Sequence, residues 1–230
     1  MFMEGFMMKN ILQKVSVLLV VFLMAMTSVA AADITLTYPV GGEYINNDGS
    51  TPITWTRIGS CGTGADPVHI EYTADASDPY TLLTTTASAS SGLYNWNTLG
   101  LPDGNEYIVR ISSIGTCSST DSSGTFTLDS IAPTINSDTL LTPNGGEDIA
   151  GGSFFDITWD SGDITDTNLG STPISLYYST NSGASWTLIT SAQANDGSYL
   201  WTVPVVNTTA AKVNITATDL AGHTVSDISN

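Results

Sequence analysis

The sequence predicts an all-β chain built as two tandem sandwiches behind a removable leader. Three observations predict this. Short motifs recur at a spacing of about one hundred residues. Apolar and polar residues alternate between turn clusters. No long stretch carries a helical period.

The leader comes first. Lys9 and Lys14 form a basic start, Val15 to Met26 is an apolar run, and Ala30-Ala31-Ala32 offers a small-residue cleavage site before Asp33. These parts in this order describe a secretory signal peptide over residues 1–32. The run is too short to span a bilayer comfortably. No second hydrophobic span follows, so no membrane span is expected after cleavage, and the chain is expected outside the cell, secreted or at the cell surface. Met8 offers an alternative start that gives a leader of more ordinary length.

The repeats follow. Tyr38–Glu43 (YPVGGE) returns at Thr142–Glu147 (TPNGGE), and Ile53–Trp55 returns at Ile157–Trp159, both 104 residues later. Tyr72–Leu83 returns at Tyr178–Ile189, Tyr94–Trp96 at Tyr199–Trp201, and Val109–Ile111 at Val213–Ile215, with drifts of one or two residues that fall in loops. Within a strand, alternate residues face opposite sides of the sheet. Ile53/Trp55, Val68/Ile70/Tyr72, Tyr94/Trp96, Val109/Ile111 and Phe126/Leu128 share the inward parity in repeat one. Ile157/Trp159, Ile174/Leu176/Tyr178, Tyr199/Trp201 and Val213/Ile215 share it in repeat two. Short alternating strands over about a hundred residues describe an immunoglobulin-like β-sandwich. The expected organisation is sandwich one over 33–128, a linker over 129–137 containing Pro133, and sandwich two over 138–230. Placing Asp121 opposite Asp227 sets Asn230 opposite Gly124, so repeat two is expected to stop before its last strand. A longer parent protein or a strand donated by another chain would each explain that edge.

Composition limits the function. Charged residues make up 12%, about half the usual share. The formal charge is −17, and removal of Lys9, Lys14 and Glu4 with the leader takes it to about −18. With so few basic residues, no nucleic-acid partner is expected, because phosphate binding needs clustered Lys and Arg. The two histidines, His69 and His223, lie near no nucleophile motif, so the chain is read as no enzyme. The Pro-x-Gly-Gly-Glu run lacks the lysine and following helix of a phosphate loop and reads as a tight turn using Gly145 and Gly146.

Cys61 and Cys117 are the only cysteines. In an exported protein such a pair predicts a disulfide, here joining two loops at one end of sandwich one. Repeat two has no such pair. Its corresponding loops carry Asp160, Asp163, Asp166, Asn168 and Asp219, an oxygen-rich set that would suit Ca²⁺, so Ca²⁺ is the one cofactor considered. Trp55, Trp96, Trp159 and Trp201 recur at inward positions and are expected in the cores. Trp186 and its counterpart Tyr80 are left as candidate exposed aromatics for a ligand. Asn207 and Asn214 begin N-glycosylation acceptor triplets.

The run Leu-x-Pro-Asn-Gly-Gly-Glu, then Ile-Thr-Trp, then Tyr-Ser-x-Asn-Ser-Gly-x-Ser-Trp-Thr-x-Ile, then Tyr-x-Trp-x-Val-Pro and Ala-Thr-Asp-x-Ala-Gly resembles a known family. It is similar to the immunoglobulin/fibronectin III-like domain of the Ser/Thr-rich, GPI-anchored cell-wall family, which recurs in secreted and surface proteins of bacteria and archaea. The resemblance covers nearly all of repeat two and, more loosely, repeat one, where Tyr80 replaces Trp186 and the turn reads Pro-Val-Gly-Gly-Glu. It implies an extracellular, repeat-forming module without catalysis. Ser179 to Trp186 also resembles the Asp-box hairpin of sialidase-like propellers, and reads as a hairpin only. The function expected is that of a non-catalytic structural or adhesive module of a larger cell-surface or secreted protein. Its partners would be other extracellular domains or cell-surface polymers. A carbohydrate-binding accessory region of a secreted hydrolase and a strand-donating filament subunit are the alternatives.

Overall fold

The computed structural model describes residues 33–58, 67–86, 92–114 and 118–230. The leader and both cysteines, Cys61 and Cys117, lie outside the described residues, and so do the signal-peptide and disulfide expectations.

Strand assignments follow from the alternation. In the first half the strands are β1 (Asp33–Tyr38), β2 (Tyr44–Asn46), β3 (Thr51–Ile58), β4 (Val68–Thr73), β5 (Thr81–Thr86), β6 (Leu93–Trp96), β7 (Gly104–Ser113), β8 (Thr120–Ser122) and β9 (Phe126–Asp129). One sheet has the order β1-β3-β6. The other has the order β2-β9-β7-β4-β5, with β8 also on β7. All pairs are antiparallel except β2 with β9, which run parallel from Tyr44↔Thr127 to Asn46↔Asp129. The second half contributes β10 (Leu140–Thr142), β11 (Phe154–Trp159), β12 (Ile174–Ser179), β13 (Thr187–Gln193), β14 (Ser198–Thr202), β15 (Lys212–Thr218) and β16 (Thr224–Ile228). Its sheets have the orders β10-β11-β14 and β13-β12-β15-β16. The two halves thus share one plan, and no helix is present among the described residues.

Two separate cores result. Ile53, Trp55, Val68, Ile70, Trp96, Tyr107, Val109, Ile111, Phe126 and Leu128 are buried in the first. Leu140, Ile157, Trp159, Ile164, Ile174, Leu176, Val213 and Ile215 are buried in the second. Each such side chain contributes about 1.5–3 kcal/mol on leaving water. The inward parity read from the sequence holds at these positions, and also at Trp201, which packs against the second core but is less deeply buried. Trp96 is 2% exposed, whereas its counterpart Trp201 is only half-buried. The reason lies in the neighbours. Trp96 packs edge-on to Phe126 at 6.4 Å, and Tyr107 joins them at 6.0–6.3 Å. In the second sandwich, among the described rings, Trp201 pairs with Tyr178 at 5.5 Å.

The Gly-Gly-Glu turns are the same device twice. The Glu43 carboxylate accepts the N–H groups of Val40 and Gly41, each at 2.7 Å. Glu147 accepts those of Asn144 and Gly145, at 2.7 and 2.8 Å. Gly145 and Gly146 have φ of 104° and 87°, a region where a Cβ would be strained. Both turns also contain a cis X-Pro bond, Tyr38-Pro39 and Thr142-Pro143.

The two halves differ in their last strands. In the first half the last strand is split into β8 and β9 by Ser123–Thr125. The second half does have a strand after β15: β16 pairs with it from Asn214↔Ile228 to Thr218↔Thr224 and matches β8. β16 is thus the counterpart of β8, not of the Gly124–Leu128 strand that the sequence reading named as last. A counterpart of β9 is not found among the described residues.

Candidate functional site

The residues that join the two sandwiches include a group of two acids and a histidine whose donor atoms lie close together. Asp129 ends β9 and is 3% exposed. One carboxylate oxygen accepts the N–H of Ile131 at 3.0 Å, and the other accepts the side-chain amide of Asn168 at 2.7 Å. Asn168 belongs to the loop between β11 and β12, and its carbonyl accepts the N–H of Leu220 at 2.9 Å. Asp219 and His223 lie in the turn between β15 and β16. Asp219 accepts the backbone N–H of His223 at 2.8 Å, and its second oxygen is 2.8 Å from His223 Nδ1. Gly222, at φ of 93°, allows that tight turn. The Asp219 side chain is fully buried. Donor atoms of Asp129, Asp219 and His223 all lie within 4.8 Å of one another.

Chemically, this is two buried carboxylates beside one imidazole. Buried charge is costly unless balanced. The acids accept from the N–H groups of Ile131 and His223 and the side-chain amide of Asn168, and their oxygens with the imidazole are ligand types a divalent cation takes. Nothing in the set resembles a nucleophile with its base.

The linker expected over 129–137 is docked. The Ser130 N–H and hydroxyl donate to Asp103 at 2.9 and 2.8 Å. Thr134 forms a bridge to Thr165, with its N–H on the Thr165 carbonyl at 2.9 Å. Pro133 is buried, and Ile135 packs against the second core.

The other candidates fall elsewhere. Asp160, Asp163 and Asp166 do not join Asp219 in one donor group among the described residues. Asp160 accepts the N–H of Gly162, Asp163 accepts the Thr139 hydroxyl at 3.3 Å, and Asp166 accepts the N–H of Asn168. Each of the three thus serves its own loop or the strand beside it. Side-chain bonds and a core residue anchor that loop. Ile164 is 2% exposed in the core, and the Asn195 amide donates to the carbonyls of Ser161 and Ile164 at 2.9 and 3.3 Å. Trp159 Nε1 in turn donates to Asn195 at 2.8 Å.

Tyr80 and Trp186 lie on different sandwiches, and each ring has a neighbour. The Arg110 guanidinium sits 3.8 Å above the Tyr80 ring and also donates to Glu71 at 2.8 and 3.0 Å. Trp186 lies over its own turn, where a Cβ on Gly183 would come within 3.2 Å of the indole. Asn207 is exposed, while the Asn214 side-chain oxygen is buried without a partner.

Sequence reasoning places Asp129 in the linker and gives His223 no site role, and it does not single out Tyr107. Tyr107 is 1% exposed at the start of β7, and its hydroxyl donates to the Pro102 carbonyl at 2.6 Å. A tyrosine at the start of this strand bonding backbone five residues upstream is a corner seen in such sandwiches, and that spacing was the signal available. Burial first, then the nearby Tyr72 and Asp103, push the Tyr107 hydroxyl up to about 12.

No protein-family profile matches the chain, and no curated protein matches it. Among solved structures it is similar to the fibronectin(III)-like modules of Clostridium thermocellum CbhA. The TM-score is 0.55 at 16% identity, over 85% of this chain and 91% of that one. The FN1-FN3 domains of chicken CNTN1 match with a TM-score of 0.48 at 14% identity, over 82% of this chain and 65% of that one. At such identities the first likeness speaks for the fold, and the strand orders agree with it. The chain is an all-β pair of tandem fibronectin III-like, immunoglobulin-like sandwiches.

Proposed function

We propose that the chain is a non-catalytic extracellular module, a two-sandwich spacer or adhesive segment of a larger cell-surface or secreted protein. The observation that carries this reading is the docked junction. Asp129, Ser130 and Thr134 tie the connecting segment to both halves through named hydrogen bonds. A spacer needs such a joint, because free hinging would lose the distance it sets. The acids elsewhere serve the backbone: Asp121 accepts the N–H of Leu36 and Asp227 that of Leu140, both at 2.8 Å. The leader pattern of Lys9, Lys14, Val15–Met26 and Ala30–Ala32 supports export. The resemblance of the Pro-Asn-Gly-Gly-Glu repeat to the cell-wall family supports a surface setting. The reading needs no cofactor, and its partners are other extracellular domains or cell-surface polymers.

Fractionation of the source cells tests it. The expected result is recovery in the medium or the surface fraction, with a mature N-terminus at Asp33. Recovery inside the cell with the leader intact would contradict the reading.

A further inference from the structure

Strands β2 and β9 end side by side where the second sandwich meets the first. Ile45 and Leu128 point into the first core, at 6% and 0% exposure. Their neighbours Asn46 and Asp129 are paired in register on the parallel strands and so share the opposite, outward face. The second sandwich covers that face. Asn168 reaches Asp129, and the turn that carries Asp219 and His223 brings its donor atoms to within 4.8 Å of the Asp129 carboxylate.

The two acids are buried, Asp129 at 3% exposure and the Asp219 side chain at 0%. Carboxylates this close repel one another, and burial removes the water that would screen them. Arg110 and Lys212 are engaged elsewhere, Arg110 with Glu71 and the Tyr80 ring, Lys212 with the Ser229 carbonyl. A second observation is independent of the acids. The side-chain oxygen of Asn46 is buried and has no hydrogen-bond partner among the described residues. A buried acceptor without a donor is costly, and this one stands on the face of Asp129, where a cation would satisfy it.

The existing hydrogen bonds orient the set without exhausting it. An ionised carboxylate has about four lone-pair positions. Asp129 uses one for the Ile131 N–H and one for the Asn168 amide, and Asp219 uses one for the His223 backbone N–H. The remaining lone pairs are available to a metal. At the 104-residue offset of the repeats, Gly115, Ser119 and Ala150 stand where Asp219, His223 and Asn46 stand. The donor set is therefore peculiar to the place where the halves meet.

We propose that Asp129, Asp219, His223 and Asn46 hold a divalent transition-metal ion of the Zn²⁺ type, which clasps the two sandwiches together. The donors select the class. Imidazole nitrogen with carboxylate oxygen suits Zn²⁺, whereas Ca²⁺ takes oxygen ligands alone. The charge closes as well, with two carboxylates against one doubly charged ion. His223 binds through Nδ1, which already faces Asp219 at 2.8 Å, as the neutral imidazole with its proton on Nε2. Bond lengths of about 2.0–2.2 Å place the ligand atoms of a four-coordinate ion about 3.3 Å apart. Atoms already within 4.8 Å reach that spacing by small side-chain rotations.

The test titrates Zn²⁺ into the metal-free full chain, with binding read by calorimetry and coordination by the visible absorption of Co²⁺ in its place. One ion per chain with a Kd at or below about 10 µM is expected. His223→Gln and Asp129→Asn lie on opposite halves, and each should weaken binding by about tenfold or more. His69→Gln should leave it unchanged, and Ca²⁺ at about 1 mM should not displace Zn²⁺. Asp129 also ties the linker, so Asn46→Asp supplies an independent arm. It adds a third buried carboxylate, and should lower the melting temperature of the metal-free chain while tightening Zn²⁺ binding. No saturable Zn²⁺ binding up to about 1 mM would overturn the proposal. Binding lost in His223→Gln but intact in Asp129→Asn would confine the ion to the turn between β15 and β16, and would overturn the clasp. Loss in His69→Gln, or displacement by an equal concentration of Ca²⁺, would overturn the assigned ligands or the assigned ion.

Discussion

Tyr107 shows how one residue sets the character of a whole core. Its hydroxyl reaches Pro102 and its ring lies in the cluster of Tyr72, Trp96 and Phe126. Tyr107→Phe should cost the first sandwich about 1 kcal/mol, measured by chemical denaturation, because the ring packing stays and one hydrogen bond goes. The raised value has a second consequence. The unfolded chain ionises Tyr107 near 10.0, and the folded chain near about 12. Stability from this group is therefore complete below pH 10 and is lost as pH rises from there toward 12. The alkaline limb of a pH–stability curve should flatten in Tyr107→Phe. Asp129 shows the limit of reading residues singly. In the sequence it is the first residue after an apolar strand and was placed in a linker. Its partner Asn168 lies 39 positions away, so nothing local announced that it would be buried.

At the scale of elements, turns and strands were legible because their causes are local. The alternation of Ile53 with Trp55 and of Val109 with Ile111 names a face, and two glycines followed by glutamate name a turn. The glutamate's task was less visible. For Glu147, burial acts to raise the carboxyl, and the backbone N–H groups of Asn144, Glu147 and Gly145 outweigh that and lower it below the usual 4.5. A lowered carboxylate stabilises above its unfolded value and loses that contribution as pH falls through its folded value. Glu147→Gln should weaken the second sandwich near neutral pH by about 1 kcal/mol and flatten the acid limb of its stability curve. Asp227 carries more, since it is buried and holds the N–H of Leu140. Asp227→Ala should cost about 2 kcal/mol, read from the same denaturation, by leaving that N–H unpaired. Asp160, Asp163, Asp166 and Asp219 share loops in the sequence but do not form one donor group among the described residues. Loop acids were counted by sequence, but their side chains close local turns, while Ile164 and Asn195 anchor the loop.

At the scale of the molecule, the repeat spacing predicts two sandwiches, and the structure has two separate cores of matching plan. What a spacing cannot carry is how the halves meet. That depends on Asp129, Asn168, Asp219 and His223, four residues from three segments, only two of which the sequence reading had singled out as acids or loop amides. The junction is the centre of the account, because a spacer sets a distance only if its joint holds. Its most direct test is the rotational tumbling of each half, read by ¹⁵N relaxation in the full chain and in Asp129→Ala. A common correlation time for both halves is expected, splitting into two shorter ones in the variant while each half stays folded. Independent tumbling of the halves in the unaltered chain would contradict it.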